Sequence, residues 1–129
     1  MTIIKSISGI RGVVNNTDFN IDIIDRHMKA FSYLQPDGII LVARDSRPHG
    51  KKFSTKACIA LKESGRNVLD CGIIPTPTVQ FLIDKNNFSG GIIITASHNP
   101  IEWNGIKFID SDGCFINSQK NSKLFKLAE

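Results

Sequence analysis

Three stretches of this sequence hold residues whose types and spacing could do chemistry. The first is Ser97-His98-Asn99-Pro100, set directly after the apolar run Gly90-Gly91-Ile92-Ile93-Ile94-Thr95. A β-branched run reads as a buried strand, and its break into small polar residues closed by Asn-Pro reads as a loop. Such a junction holds one hydroxyl, that of Ser97, at a sheet edge where a ligand can reach it, although a plain polar turn would use the same residues. The second stretch is Gly9-Ile10-Arg11-Gly12, read together with Ser6 as a loop over Ser6 to Gly12. Two glycines let a backbone approach an anion closely while the guanidinium offers a fork of donors; a surface turn with a solvated arginine is the alternative. The third is Arg44-Asp45-Ser46-Arg47-Pro48-His49-Gly50. There Asp45 is assigned to bracing the loops, and Arg44 and Arg47 are candidates for contact with a substrate.

The elements that must position these residues follow from periodicity and punctuation. Residues from Thr2 to Lys5 form a first strand or its lead-in. Asn20 is placed to cap a helix running to about Leu34, with Ile21, Ile24, Met28 and Phe31 on its apolar face. His27 lies beside that face and reads as a structural residue. A turn at Gln35-Pro36-Asp37-Gly38 leads to a doubly covered strand, Ile39 to Ala43. A second helix runs from about Lys51 to Glu63 and closes at Gly65, followed by a strand over Asn67 to Cys71. Pro77 suits the first turn of a third helix ending near Lys85. Gly105 to Ile109 returns as a strand, Asp110-Ser111-Asp112-Gly113 turns, and a basic helix spans Ser118 to Ala128. This alternation predicts an α/β chain, a three-layer α/β/α sandwich with a mixed, mainly parallel sheet. The connection from the Ser97 strand to the Ile106 strand is too short for a parallel crossover, so that pair should be antiparallel.

Composition narrows the function classes. The 129 residues suit one domain, and no apolar run approaches the ~20 residues of a membrane span. The N-terminus has no charged region followed by a long apolar core, so the chain is expected in the cytoplasm and off the membrane. Cys58, Cys71 and Cys114 are widely spaced, form no CxxC pair, and read as reduced, mostly buried thiols. Sixteen Lys and Arg against twelve Asp and Glu give a net charge of +4, which suits an anionic small molecule. One Trp and one Tyr give bases little to stack on, so a nucleic-acid partner is not expected.

Thr95-Ala96-Ser97-His98-Asn99-Pro100 resembles the phosphoserine loop of the α-D-phosphohexomutases. Asn104-Gly105-Ile106-Lys107 is similar to the Asn-Gly-x-Lys segment that follows this loop in the family. Ser8-Gly9-Ile10-Arg11-Gly12 and Ala43-Arg44-Asp45-Ser46-Arg47 agree with two further family motifs, in the right order. The opening Lys5-Ser6-Ile7-Ser8-Gly9-Ile10-Arg11-Gly12 is most similar to a phosphoglucosamine mutase-like branch, and departs from the commoner pattern with Gly-Thr in place of Ser6-Ile7.

The resemblance implies an intramolecular phosphotransferase that interconverts hexose 1-phosphates and 6-phosphates through a hexose 1,6-bisphosphate. Ser97 would carry the phosphoryl group. His98, Lys107 and Arg11 would neutralise the transferring oxygens, and Lys107 would act as general base if burial near other cations lowered its pKa. Asn99 and Arg44 would contact phosphate or substrate. A Mg²⁺ ion would bind an oxygen of the phosphate on Ser97, its other ligands coming from an Asp-Gly-Asp-x-Asp-Arg loop that this chain lacks. Residues 1–129 thus match only the first of the family's four domains. A fragment is expected, inactive alone and dependent on the remaining domains of the same polypeptide. Two other classes compete: a stand-alone phosphosugar- or anion-binding module, and a serine hydrolase, which the missing Gly-x-Ser-x-Gly elbow disfavours.

Overall fold

A computed structural model describes residues 3–6 and 9–129. In chain order the elements are β1 (Ile3–Ser6), β2 (Gly9–Val13), α1 (Ile21–Leu34), β3 (Ile40–Arg44) and α2 (Gly50–Glu63). They continue with β4 (Val68–Ile73), α3 (Thr76–Asn86), β5 (Gly90–Ile94), β6 (Trp103–Ile109) and α4 (Ser118–Leu127). The helix ends obey local chemistry. The side chain of Asn20 accepts a hydrogen bond from the Ile23 N–H at 3.1 Å, and that of Asn117 accepts one from Lys120 at 2.8 Å. Pro77 sits in the first turn of α3, and Asn87 closes that helix with a left-handed φ of 55°.

The strands form one sheet in the order β1-β2-β6-β5-β3-β4. The β5–β3 and β3–β4 pairs are parallel, whereas β1–β2, β2–β6 and β6–β5 are antiparallel. The sheet is mixed, as expected, but antiparallel pairings outnumber parallel ones. The reason lies in Gly9 to Gly12, expected as part of a loop: Arg11 and Gly12 lie inside β2, paired with Gly105 and Asn104 of β6. Ile7 and Ser8, like Thr2, fall outside the described residues.

Three layers result, with unequal covering. Helices α1, α2 and α4 bury one face of the sheet through Phe31, Met28, Phe53 and Leu124, joined by Phe19 from the segment before α1, against Ile92, Ile106 and Phe108. On the other face α3 alone covers β3 and β5, with Val79 and Ile83 against Leu41, Ala43 and Ile93. Alternation along a strand puts successive side chains on opposite faces. Ile106 and Phe108 enter the three-helix core, so Lys107 and Gly105 of β6 lie on the face that α3 leaves largely open. Among the described residues no helix is long and apolar enough to cross a membrane. Cys58 and Cys71 are half-buried and Cys114 is exposed, all three as free thiols, so the expectation of mostly buried cysteines fails at Cys114. Burial pushes the Cys58 thiol up to about 11.

Candidate functional site

The parallel strands β3 and β5 end on the same edge of the sheet, and the segment after β5 turns there through Thr95 to Trp103. Ligands of open α/β sheets favour this edge. A cavity of about 290 Å³ opens at it, lined by Arg11 of β2, Lys107 of β6, and Thr95, Ser97, His98 and Asn99 of the turn. Three segments, β2, the turn and β6, thus converge on one hollow. Ser97 and His98 are exposed, and Asn99, Arg11 and Lys107 are half-buried. Arg44 is not among the lining residues; its guanidinium lies against Gly50 and donates to the Asp45 carbonyl at 3.3 Å.

Ser97 has a φ of 50°, in the left-handed region. A non-glycine residue there costs on the order of 1 kcal/mol and persists only when its surroundings fix it. Here they do. The Ser97 N–H donates to the Thr95 hydroxyl at 3.1 Å, and that hydroxyl donates to Asp45 Oδ2 at 2.6 Å. Asp45 also accepts from the Arg47 backbone N–H at 3.0 Å and from Arg47 Nε at 3.3 Å. Arg47 Nη1 donates to the carbonyls of Pro100 at 2.7 Å and Trp103 at 3.0 Å. Its Nη2 donates to those of Ser97 at 2.7 Å and Asn99 at 2.8 Å. The bracing expected of Asp45 is present, and Arg47, considered at the sequence level for substrate contact, carries most of it. The pattern Asp-x-Arg after a buried strand was the available signal.

Three cationic or potentially cationic side chains, Arg11, His98 and Lys107, face a hollow whose lining holds no carboxylate. Such a lining favours a dianion such as a phosphate monoester. The Arg11 Nε is buried without a hydrogen-bond partner. Glycine makes the arrangement possible: a Cβ on Gly105 would strike the Ile10 carbonyl oxygen and lie 2.9 Å from both the Arg11 Cβ and the Thr95 carbonyl oxygen. The ammonium of Lys107 lies 5.8 Å from the centre of the Phe115 ring, a cation–π contact that orients it.

The family pattern described as Phosphoglucomutase/phosphomannomutase, alpha/beta/alpha domain I, matches residues 3–129. The chain belongs to this family. Among its relatives, a phosphoglucosamine mutase of Prochlorococcus marinus is 43% identical over 98 residues, which cover 76% of this chain and 22% of the relative. A phosphoglucosamine/phosphogalactosamine mutase of Sulfurisphaera tokodaii is 35% identical over 117 residues, covering 90% and 26%. The crystal structure of a Thermus thermophilus protein assigned as a phosphomannomutase superposes with a TM-score of 0.90 at 27% identity, over 98% of this chain and 30% of that one. This family member spans about a quarter of the length of the curated relatives it matches.

Among the described residues no group of three or more His, Cys, Asp or Glu side chains could hold a metal ion. With a carboxylate-free lining, the cavity does not by itself fit Mg²⁺. A wider hollow of about 610 Å³ lies at the opposite end of the parallel strands, around Arg66. That guanidinium is occupied by the carbonyls of Ser32 at 2.6 Å, Gln35 at 2.7 Å and Pro36 at 2.5 Å, so it ties turns together.

Proposed function

We propose that this chain is the phosphoserine-bearing domain of a phosphohexomutase, acting on hexose 1- and 6-phosphates through a 1,6-bisphosphate. The supporting observation is the convergence of Ser97 with Arg11, His98, Asn99 and Lys107 on one cavity. Phosphorylated Ser97 gives its phosphoryl group to the free hydroxyl of a hexose monophosphate, and Lys107 takes that hydroxyl's proton. The bisphosphate turns over and returns its other phosphoryl group to Ser97, leaving the isomeric monophosphate. Arg11 and His98 neutralise the equatorial oxygens during transfer, where positioning and charge account for most of the rate. Mg²⁺ would join through the phosphate on Ser97 with ligands supplied from outside this chain, as would the groups that select the sugar.

The relatives named as phosphoglucosamine mutases make glucosamine phosphates the first substrates to test, with glucose and mannose phosphates beside them. The assay uses the complete gene product with Mg²⁺ and a catalytic amount of hexose 1,6-bisphosphate. Conversion should fall to background in Ser97→Ala and drop about a hundredfold or more in Lys107→Met. Undiminished turnover in a folded Ser97→Ala variant would overturn the proposal.

A further inference from the structure

Arg47 is 9% exposed, and its guanidinium has no donor to spare. A guanidinium carries five N–H donors. Nε is taken by Asp45, Nη1 by the Pro100 and Trp103 carbonyls, and Nη2 by those of Ser97 and Asn99. The four carbonyls belong to both limbs of the turn that carries Ser97, so one cation gathers the whole turn around itself. The same contacts draw the partial negative charge of those oxygens onto Arg47, away from a hollow that must hold a phosphate dianion. Through Asp45, Arg47 is also linked to the Thr95 hydroxyl that holds the Ser97 N–H.

We propose that Arg47 is a positioning residue for phosphoryl transfer, holding Ser97 in its left-handed conformation and turning the loop carbonyls inward, with Asp45 and Thr95 as its link to the Ser97 backbone. This rests on the reading of Ser97 as the phosphoryl carrier. Arg47 does not touch the sugar; it acts on where the Ser97 oxygen sits. Its loss therefore lowers the rate of transfer more than the binding of a phosphosugar. A displacement of the reacting oxygen by about 1 Å can cost on the order of a hundredfold in rate.

The test compares Arg47→Lys, Arg47→Met and Thr95→Val in the complete gene product, with Ser97→Ala as the control for the reading beneath. Arg47→Met is expected to lose about a hundredfold in kcat, and Arg47→Lys and Thr95→Val roughly tenfold, each with KM within about threefold of wild type. Arginine does not titrate, whereas a lysine at this buried position sheds its proton as pH rises. The kcat of Arg47→Lys should therefore decline in an alkaline range where that of the wild type is level. A raised KM at unchanged kcat would show that Arg47 contacts substrate and would overturn the proposal, as would wild-type kcat in folded Arg47→Lys. If neither Arg47 variant folds, Thr95→Val decides: a fall in kcat at unchanged KM supports the link, and wild-type kcat refutes it. Turnover that survives Ser97→Ala defeats the underlying reading and leaves the loop clamp to be judged separately by the amide spectrum of the Arg47 variants.

Discussion

At the scale of single residues, Arg47 gathers the turn that carries Ser97 through Asp45 and four backbone carbonyls. Ser97, His98 and Asn99 are adjacent in sequence and follow a strand, so their types and order carried the message. The spacing Asp-x-Arg signals the Asp45 pairing of Arg47, but its carbonyl partners lie 50 to 56 positions away, where no local spacing points. His27 shows the opposite case, a histidine read from periodicity as structural. It is 2% exposed, its ring lies 6.4 Å from that of Phe108 and 6.2 Å from that of Phe125, and its Nδ1 lies 2.8 Å from the Ile23 carbonyl oxygen. Burial, aided by the charges of Arg26 and Lys5 and opposed by the Ile23 hydrogen bond, lowers its pKa from 6.5 to about 4. The unfolded chain binds this proton first, so the stability that neutral His27 contributes is complete above pH 6.5 and is lost as pH falls toward 4. The loss should reach about 3 kcal/mol. Urea midpoints taken between pH 7.5 and 4.5 should fall more steeply for the wild type than for His27→Leu, and equal slopes would refute this assignment.

Among the elements, every helix and the strands β3 to β6 stand close to where periodicity put them, because each is punctuated by caps, prolines or turn residues. Strand β2 is the exception. Its glycines read as loop formers, and their real task is close approach: Gly9, at φ 122°, leaves no room for a Cβ beside the Ile106 carbonyl. Gly in a strand marks just such a contact. The same physics governs Gly105, where β6 lies tight against Ile10 and Thr95 beneath the Arg11 side chain. Gly105→Ala must push β2 and β6 apart, and should cost about 2 kcal/mol or more. It should also displace Arg11 and weaken the perturbation of loop amides by inorganic phosphate. An alanine variant with wild-type melting and an unchanged phosphate titration would contradict this account of the strand pair.

For the whole molecule, the balance of pairings was beyond sequence reading because strand partners are set by contacts distant along the chain. The order β1-β2-β6-β5-β3-β4 joins a parallel half to an antiparallel half, and the cavity forms where they meet. The antiparallel half contributes Arg11 and Lys107, the parallel half the turn with Ser97. One helix on that face leaves the meeting point open to a ligand. The central claim is that this junction carries a phosphoryl group on Ser97. It is tested most directly by intact mass and phosphopeptide mapping of the complete gene product after incubation with Mg²⁺ and a hexose 1,6-bisphosphate, beside Ser97→Ala. One added phosphoryl group located on Ser97, and absent from the variant, is the predicted result. A folded protein that acquires none on Ser97 would contradict the account and leave the cavity as an anion-binding site without chemistry.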